Sequence, residues 1–159
     1  MATLVLTSAT TLWGTAWTGT APGPANPTVS GTISSSTDLS DHISTVSIDL
    51  TAADVDFTNF GSGGYVEKKP GLLGADISID FFNDFASSNI DSLVWTSFSG
   101  KSIVYLDVKP TSSARGTTNP SYVFALYVSK YPPGGFQIGN AATTQVGFMI
   151  AGKYARLTS

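Results

Sequence analysis

The chain has 159 residues, 42% of them apolar, and a formal net charge of −3. That length and apolar content suit one domain spanning 1–159 with a real core, and argue against disorder. With no Cys, disulfides, thiolate catalysis and Cys-type zinc sites are all excluded, which fits folding in a reducing compartment.

One His (His42), one Glu (Glu67) and scattered Asp stand beside 41 Ser and Thr. Most reaction mechanisms need a general base, a thiolate or a metal cluster. Function is therefore expected in surfaces and assembly, with no enzyme activity, metal or cofactor. Beyond Lys68-Lys69 there is no basic cluster, so no nucleic-acid grip is expected, although nucleic acid could pass a surface that does not hold it. The N-terminus lacks the basic region of a signal peptide, and no apolar run approaches the ~20 residues of a membrane span.

In chain order, Leu4-Val5-Leu6 is a short strand candidate. Residues 7–31 carry Trp13, Trp17, Pro22, Pro24 and Pro27 among many Gly and Thr, and read as an irregular arm or long hairpin. Its two Trp suit burial under a loop or at an interface. From Ile43 the period is two: Val46, Ile48 and Leu50 share one face, Thr45, Ser47 and Asp49 the other. A second strand is predicted at 55–57. Residues 59–74, with five Gly, Pro70 and the charges Glu67, Lys68 and Lys69, read as a long loop or flexible hairpin. Residues 75–82 alternate again, Ile77, Ile79 and Phe81 against Asp76, Ser78 and Asp80. The one helix signal covers 88–99, with Ser88 as N-cap, an apolar stripe of Ile90, Leu93 and Val94, and Gly100 as stop. Strands follow at 101–109, 122–131 and 143–157, the last interrupted near Gly152. Six to eight strands and one helix predict a mainly β protein, an antiparallel β-sandwich or open barrel with a flanking α-helix.

Several local patterns have plainer readings than chemistry. Gly100-Lys101-Ser102 ends like a phosphate-binding loop, but position 95 is Trp and the element order is reversed. Asp38, Asp41 and His42 read as a capped turn before a strand. Asp76 and Asp80 lie about 13 Å apart along one strand at ~3.3 Å per residue, too far for a glycosidase pair.

Gly64-Tyr65-Val66-Glu67-Lys68-Lys69-Pro70-Gly71-Leu72 is followed by Phe82-Asn83-Asp84-Phe85 and Asn89-Ile90-Asp91-Ser92-Leu93-Val94-Trp95. Lys109-Pro110, Thr118-Asn119-Pro120-Ser121-Tyr122, Tyr131-Pro132 and Gly139-Asn140-Ala141 come next in the same order. Over residues 38–157 this set resembles the major tail tube protein of long-tailed (siphovirus-type) bacteriophages, especially those of actinobacteria. The resemblance implies two roughly orthogonal sheets with a flanking helix, six copies per ring, and rings stacked into a virion tube through which DNA passes. It implies partners that are copies of the chain itself and other tail proteins (tape measure, tail tip, terminator), assembly in the host cytoplasm, and no membrane binding. Gly61, Gly63, Gly64, Tyr65, Lys68, Lys69, Pro70, Gly71 and Leu72 become candidates for inter-subunit contact. Asp49, Asp76, Asp80 and Asp107 become candidates to face the lumen, where an acidic wall lets DNA slide. The competing reading is a carbohydrate-binding β-sandwich module using Trp13, Trp17, Trp95 and Tyr as a stacking platform.

Overall fold

The computed structural model describes residues 9–23, 28–86, 89–134 and 138–159. The strand candidate Leu4-Val5-Leu6 and the N-cap candidate Ser88 lie outside them. Among the described residues there are ten strands and one α-helix: β1 (Thr10–Gly14), β2 (Ala16–Thr20), β3 (Ser30–Ser34), β4 (Thr37–Asp38), β5 (Ile43–Asp56), β6 (Lys68–Phe82), α1 (Ile90–Gly100), β7 (Val104–Lys109), β8 (Ser121–Lys130), β9 (Thr143–Ile150) and β10 (Ala155–Leu157).

Eight strands form one antiparallel sheet in the order β4-β1-β7-β8-β9-β6-β5, with β10 paired to β8; β2 and β3 form a separate pair. The sheet folds over on itself. Trp13 on β1 and Phe148 on β9 are three strand spacings apart, about 14 Å in a flat sheet at ~4.8 Å per spacing. Their rings meet edge-on at 5.8 Å. β8 provides the corner, because its second edge bonds β10 at residues 121–123 and β9 at residues 126–130. The layers expected as two sheets are thus halves of one hydrogen-bonded sheet. It stays open: a cleft of about 940 Å³, lined by Thr10, Thr11, Val46, Ile48, Val108 and Tyr122, separates the β1 end from β5.

The inner face follows the period-2 pattern. Ile77, Ile79 and Phe81 of β6, Val146 and Phe148 of β9, Phe124, Leu126 and Val128 of β8, and Val104 and Leu106 of β7 form the core with Trp13. Ile90 and Val94 of α1 are fully buried in it. Truncating a side chain such as Leu106 to Ala would cost about 2–5 kcal/mol.

Several boundaries differ from the sequence expectation. The strand expected at 55–57 is the end of β5, and residues 68–74, read as loop, are the first half of β6. Pairing across the hairpin holds both in strand: Asp56 faces Lys68, Val55 faces Lys69 and Asp54 faces Pro70. The helix takes in Gly100 as its last residue, and Lys101, with left-handed backbone (φ 50°), ends it. Residues 10–38 contain a long hairpin in two segments: β1 pairs β4, and β2 pairs β3. Trp13 enters the core, whereas Trp17 packs on Tyr105 at 5.6 Å, and its indole N–H donates to the Ser30 carbonyl.

Candidate functional site

Two surfaces stand out. The first is an arm. β9 covers β6 only over Asp76–Phe82, so beyond Gly74 the β5–β6 hairpin continues without a third strand. Six further residues at ~3.3 Å each carry it about 20 Å past the sheet. A register shift between Ala52 and Asp54 sits near its root, where a bulge increases local twist. The ribbon is internally tied. The Lys68 ammonium meets the Asp54 carboxylate at 2.9 Å, and the Lys69 ammonium lies 4.9 Å from the Phe57 ring centre. Hydrogen bonds from the Thr58 hydroxyl and backbone N–H hold the Asp56 carboxyl below the usual carboxylate range.

At the tip, the Asn59 side chain accepts from the Gly61 N–H while the Asn59 N–H donates to the Ser62 hydroxyl. Gly63 and Gly64 (φ 61° and 87°) then reverse the chain in the left-handed region, which glycine enters freely. Every candidate contact residue lies on this arm: Gly61, Gly63, Gly64, Tyr65, Lys68, Lys69, Pro70 and Leu72 are exposed and Gly71 is half-buried. The arm also exposes Phe60, Val66 and Leu73, which the sequence reading did not single out. Leu72 and Leu73 point to opposite faces of β6, and they are 87% and 68% exposed. Two adjacent Leu in a strand were the available signal, since a strand with one buried face alternates.

The second surface is the outer face of β5, β6 and β9. Thr45, Asp80 and Gln145 form one cross-strand row, Ser47, Ser78 and Gly147 the next, and Asp49, Asp76 and Met149 the third. Asp49, Asp76 and Asp80 therefore share a face, and Asp49 stands directly opposite Asp76. Like charges in directly opposed positions destabilise a sheet, so this pair works against the stability of the isolated fold.

Asp107 is a correction. It was expected on an exposed face, but it is buried and paired with the Arg115 guanidinium at 3.1 Å, and it accepts a hydrogen bond from the Ser121 hydroxyl. The segment after β7 returns over the outer face of β7 and places Arg115 there. Only tertiary structure brings the two together, although an Arg eight residues beyond a strand Asp was the available hint.

The Asp38–His42 segment forms a turn: the Asp38 carboxylate accepts from the Ser40 N–H at 3.0 Å, and a 3-10 turn covers Ser40–His42. His42 lies 3.4 Å from Asp84, whose carboxyl is held below its usual range chiefly by the Ala86 N–H and then by the Asn89 amide. Among the described residues no group of three or more His, Cys, Asp or Glu could hold a metal. Trp13 is buried, Trp17 is packed on Tyr105, and Trp95 lies on α1 beside Phe98 at 6.4 Å. The three do not form a common platform.

No family model and no curated protein matches the chain. Solved structures do. A chain of the virion of the native gene transfer agent particle superposes with a TM-score of 0.59 at 16% identity, covering 73% of this chain and 85% of that one. The SPP1 tail tube gives 0.63 at 7% identity, covering 96% and 77%. The sheath–tube complex of an extracellular contractile injection system gives 0.58 at 11% identity, covering 99% and 93%. At these identities the likeness is one of fold: the chain has the β fold found in tail tube and injection-tube structures.

Proposed function

We propose that this chain is the subunit of a phage-type tail tube: a structural virion protein whose copies form rings, six to a ring, that stack into a channel for DNA. The observation that carries the reading is the arm. A two-stranded ribbon in water is marginal by itself, and this one projects Phe60, Tyr65, Val66, Leu72 and Leu73 where its own subunit cannot cover them. A subunit that meets its neighbours through this hairpin explains why those side chains are apolar. Support comes from the shared fold and from a comparison tail of an empty gene transfer agent particle with C6 symmetry.

In this reading the arm reaches an adjacent subunit, with Tyr65 and Leu72 as apolar anchors and Lys68 and Lys69 as polar contacts. The face carrying Asp49, Asp76 and Asp80 lines the channel, where six copies turn each carboxylate into an acidic ring that repels phosphate at short range. Tape measure, tail tip and terminator proteins are its further partners, and assembly takes place in the host cytoplasm.

Negative-stain microscopy and sedimentation of the purified chain test this. Rings or tubes are expected from the intact chain, and a folded, non-assembling subunit is expected when residues 61–71 are shortened. Tubes of normal length from the shortened chain would remove the arm as connector. A strict monomer at high concentration would remove the tube reading altogether.

A further inference from the structure

The hairpin of residues 10–38 keeps one register through its break. Trp13 faces Thr37 on one side, and Ala16 faces Ser34 on the other. Straightening the ribbon therefore needs no re-pairing. The break is short: Thr15 on one strand, Ser35 and Ser36 on the other. Ser35 sits in the left-handed region (φ 54°), which a residue with a Cβ enters only at a cost.

Past the break, β2 and β3 leave the main sheet and form a flap over the outer face of β7. On that face Tyr105 pairs Ala125 and Asp107 pairs Val123, and the last three are buried. The flap shares no strand ladder with the main sheet. It is held by buried Ile33, by Trp17 on Tyr105, by a hydrogen bond from Arg115 to the Gly31 carbonyl at 3.1 Å, and by a backbone bridge between Gly23 and Lys153. Each of these contacts is between the flap and a surface that every copy presents.

We propose that the flap is exchanged between copies: in the assembled state β2–β3 of one subunit covers the outer face of β7 of its neighbour. The proposal rests on the self-assembly reading above. Short, strained hinges favour exchange over closure onto the same chain, and an exchanged element makes the same contacts in its new place. Exchange would turn Ile33, Trp17 and the Arg115–Gly31 bond into inter-subunit contacts without creating any new surface, and it would relieve Ser35.

The closed flap offers its own test. A Cβ built on Gly14 lies 3.7 Å from the Ile33 Cβ, inside the ~3.5–4.5 Å range of disulfides, and the chain has no other Cys. A G14C/I33C chain is oxidised once as free subunit and once after assembly, then run on a non-reducing gel. The free subunit is expected to give chains of monomer length. The assembled sample is expected to give a ladder of covalent dimers and longer species that collapses on reduction. Monomer-length chains alone from the assembled sample overturn the exchange and leave the tube reading intact. Should circular dichroism show that G14C/I33C does not fold, a W17C/Y105C chain treated with a short bis-maleimide cross-linker reads the same face of the flap, where the two rings lie 5.6 Å apart. A natural-sequence chain that folds and never assembles overturns the tube reading and the exchange with it.

Discussion

Asp107 and Arg115 show how much one residue pair can carry. The Asp107 side chain is almost fully buried and the Arg115 side chain mostly so. Removing one partner from such a pair leaves an uncompensated charge inside. Arg115→Ala is expected to lower stability by about 3–5 kcal/mol in urea unfolding, whereas replacing both residues with apolar ones of similar volume should cost much less. Tyr131 behaves differently. Its hydroxyl donates to the Asp91 carboxylate, tying the end of β8 to the first turn of α1. Burial first, and then Asp91, push its pKa from 10.0 up to about 12. The folded value lies above the unfolded one, so its contribution is complete below the unfolded value and is lost as pH rises from 10.0 to about 12. One tyrosine is therefore expected to ionise late in an ultraviolet absorbance titration, and Tyr131→Phe should remove that late step together with its share of the alkaline stability loss.

At the scale of elements, the arm and the flap are both hairpins, and burial separates them. The flap closes on its own subunit through Ile33 and Trp17. The outer arm is exposed on both faces from 51 to 70 save for Ser62. A substitution there touches little of the free subunit, so Leu72→Asp is expected to change folding stability by no more than ~0.5 kcal/mol. The same change should reduce tube yield in a sedimentation assay, because it puts a carboxylate into the proposed contact. Normal assembly by the Leu72→Asp chain would mean that this residue lies outside the interface. The strand assignments at 43–50 and 75–82 were legible because the pattern alternates there, with one face buried at 75–82 and half-buried at Ile43, Val46 and Ile48. Residues 68–74 were not, because a ribbon exposed on both faces has no reason to alternate.

For the whole molecule, the paired carboxylates of Asp49 and Asp76 set a cost in the subunit against the use proposed for them in the assembly. Asp49→Asn should stabilise the isolated subunit by ~0.2–1 kcal/mol in thermal unfolding at low salt, by removing like charges from opposed positions. The gain should shrink as salt screens the repulsion. Asp80→Lys should leave assembly intact and slow DNA release from particles, more so at low salt. Unchanged release at every salt concentration would place this face away from the channel.

The sequence by itself determined the class of the protein and the faces of its strands. Period-2 alternation, abundant β-branched and aromatic residues and a single helical stripe point to a mainly β chain with one packed helix, and burial follows the alternation at Ile77, Ile79 and Phe81 though not at Leu50 or Asp107. It also put Asp76 and Asp80 on one face of one strand and Asp49 on the polar face of another, whereas the register that sets Asp49 opposite Asp76 comes from the pairing of β5 with β6. Tertiary structure alone decided the rest: that the sheet curls until Trp13 meets Phe148, that Asp107 is sealed in by Arg115, that the 10–38 hairpin breaks and folds over β7, and that the 51–74 ribbon stands free. Those outcomes depend on contacts between residues distant in the chain, and local pattern carries no record of which distant partner arrives.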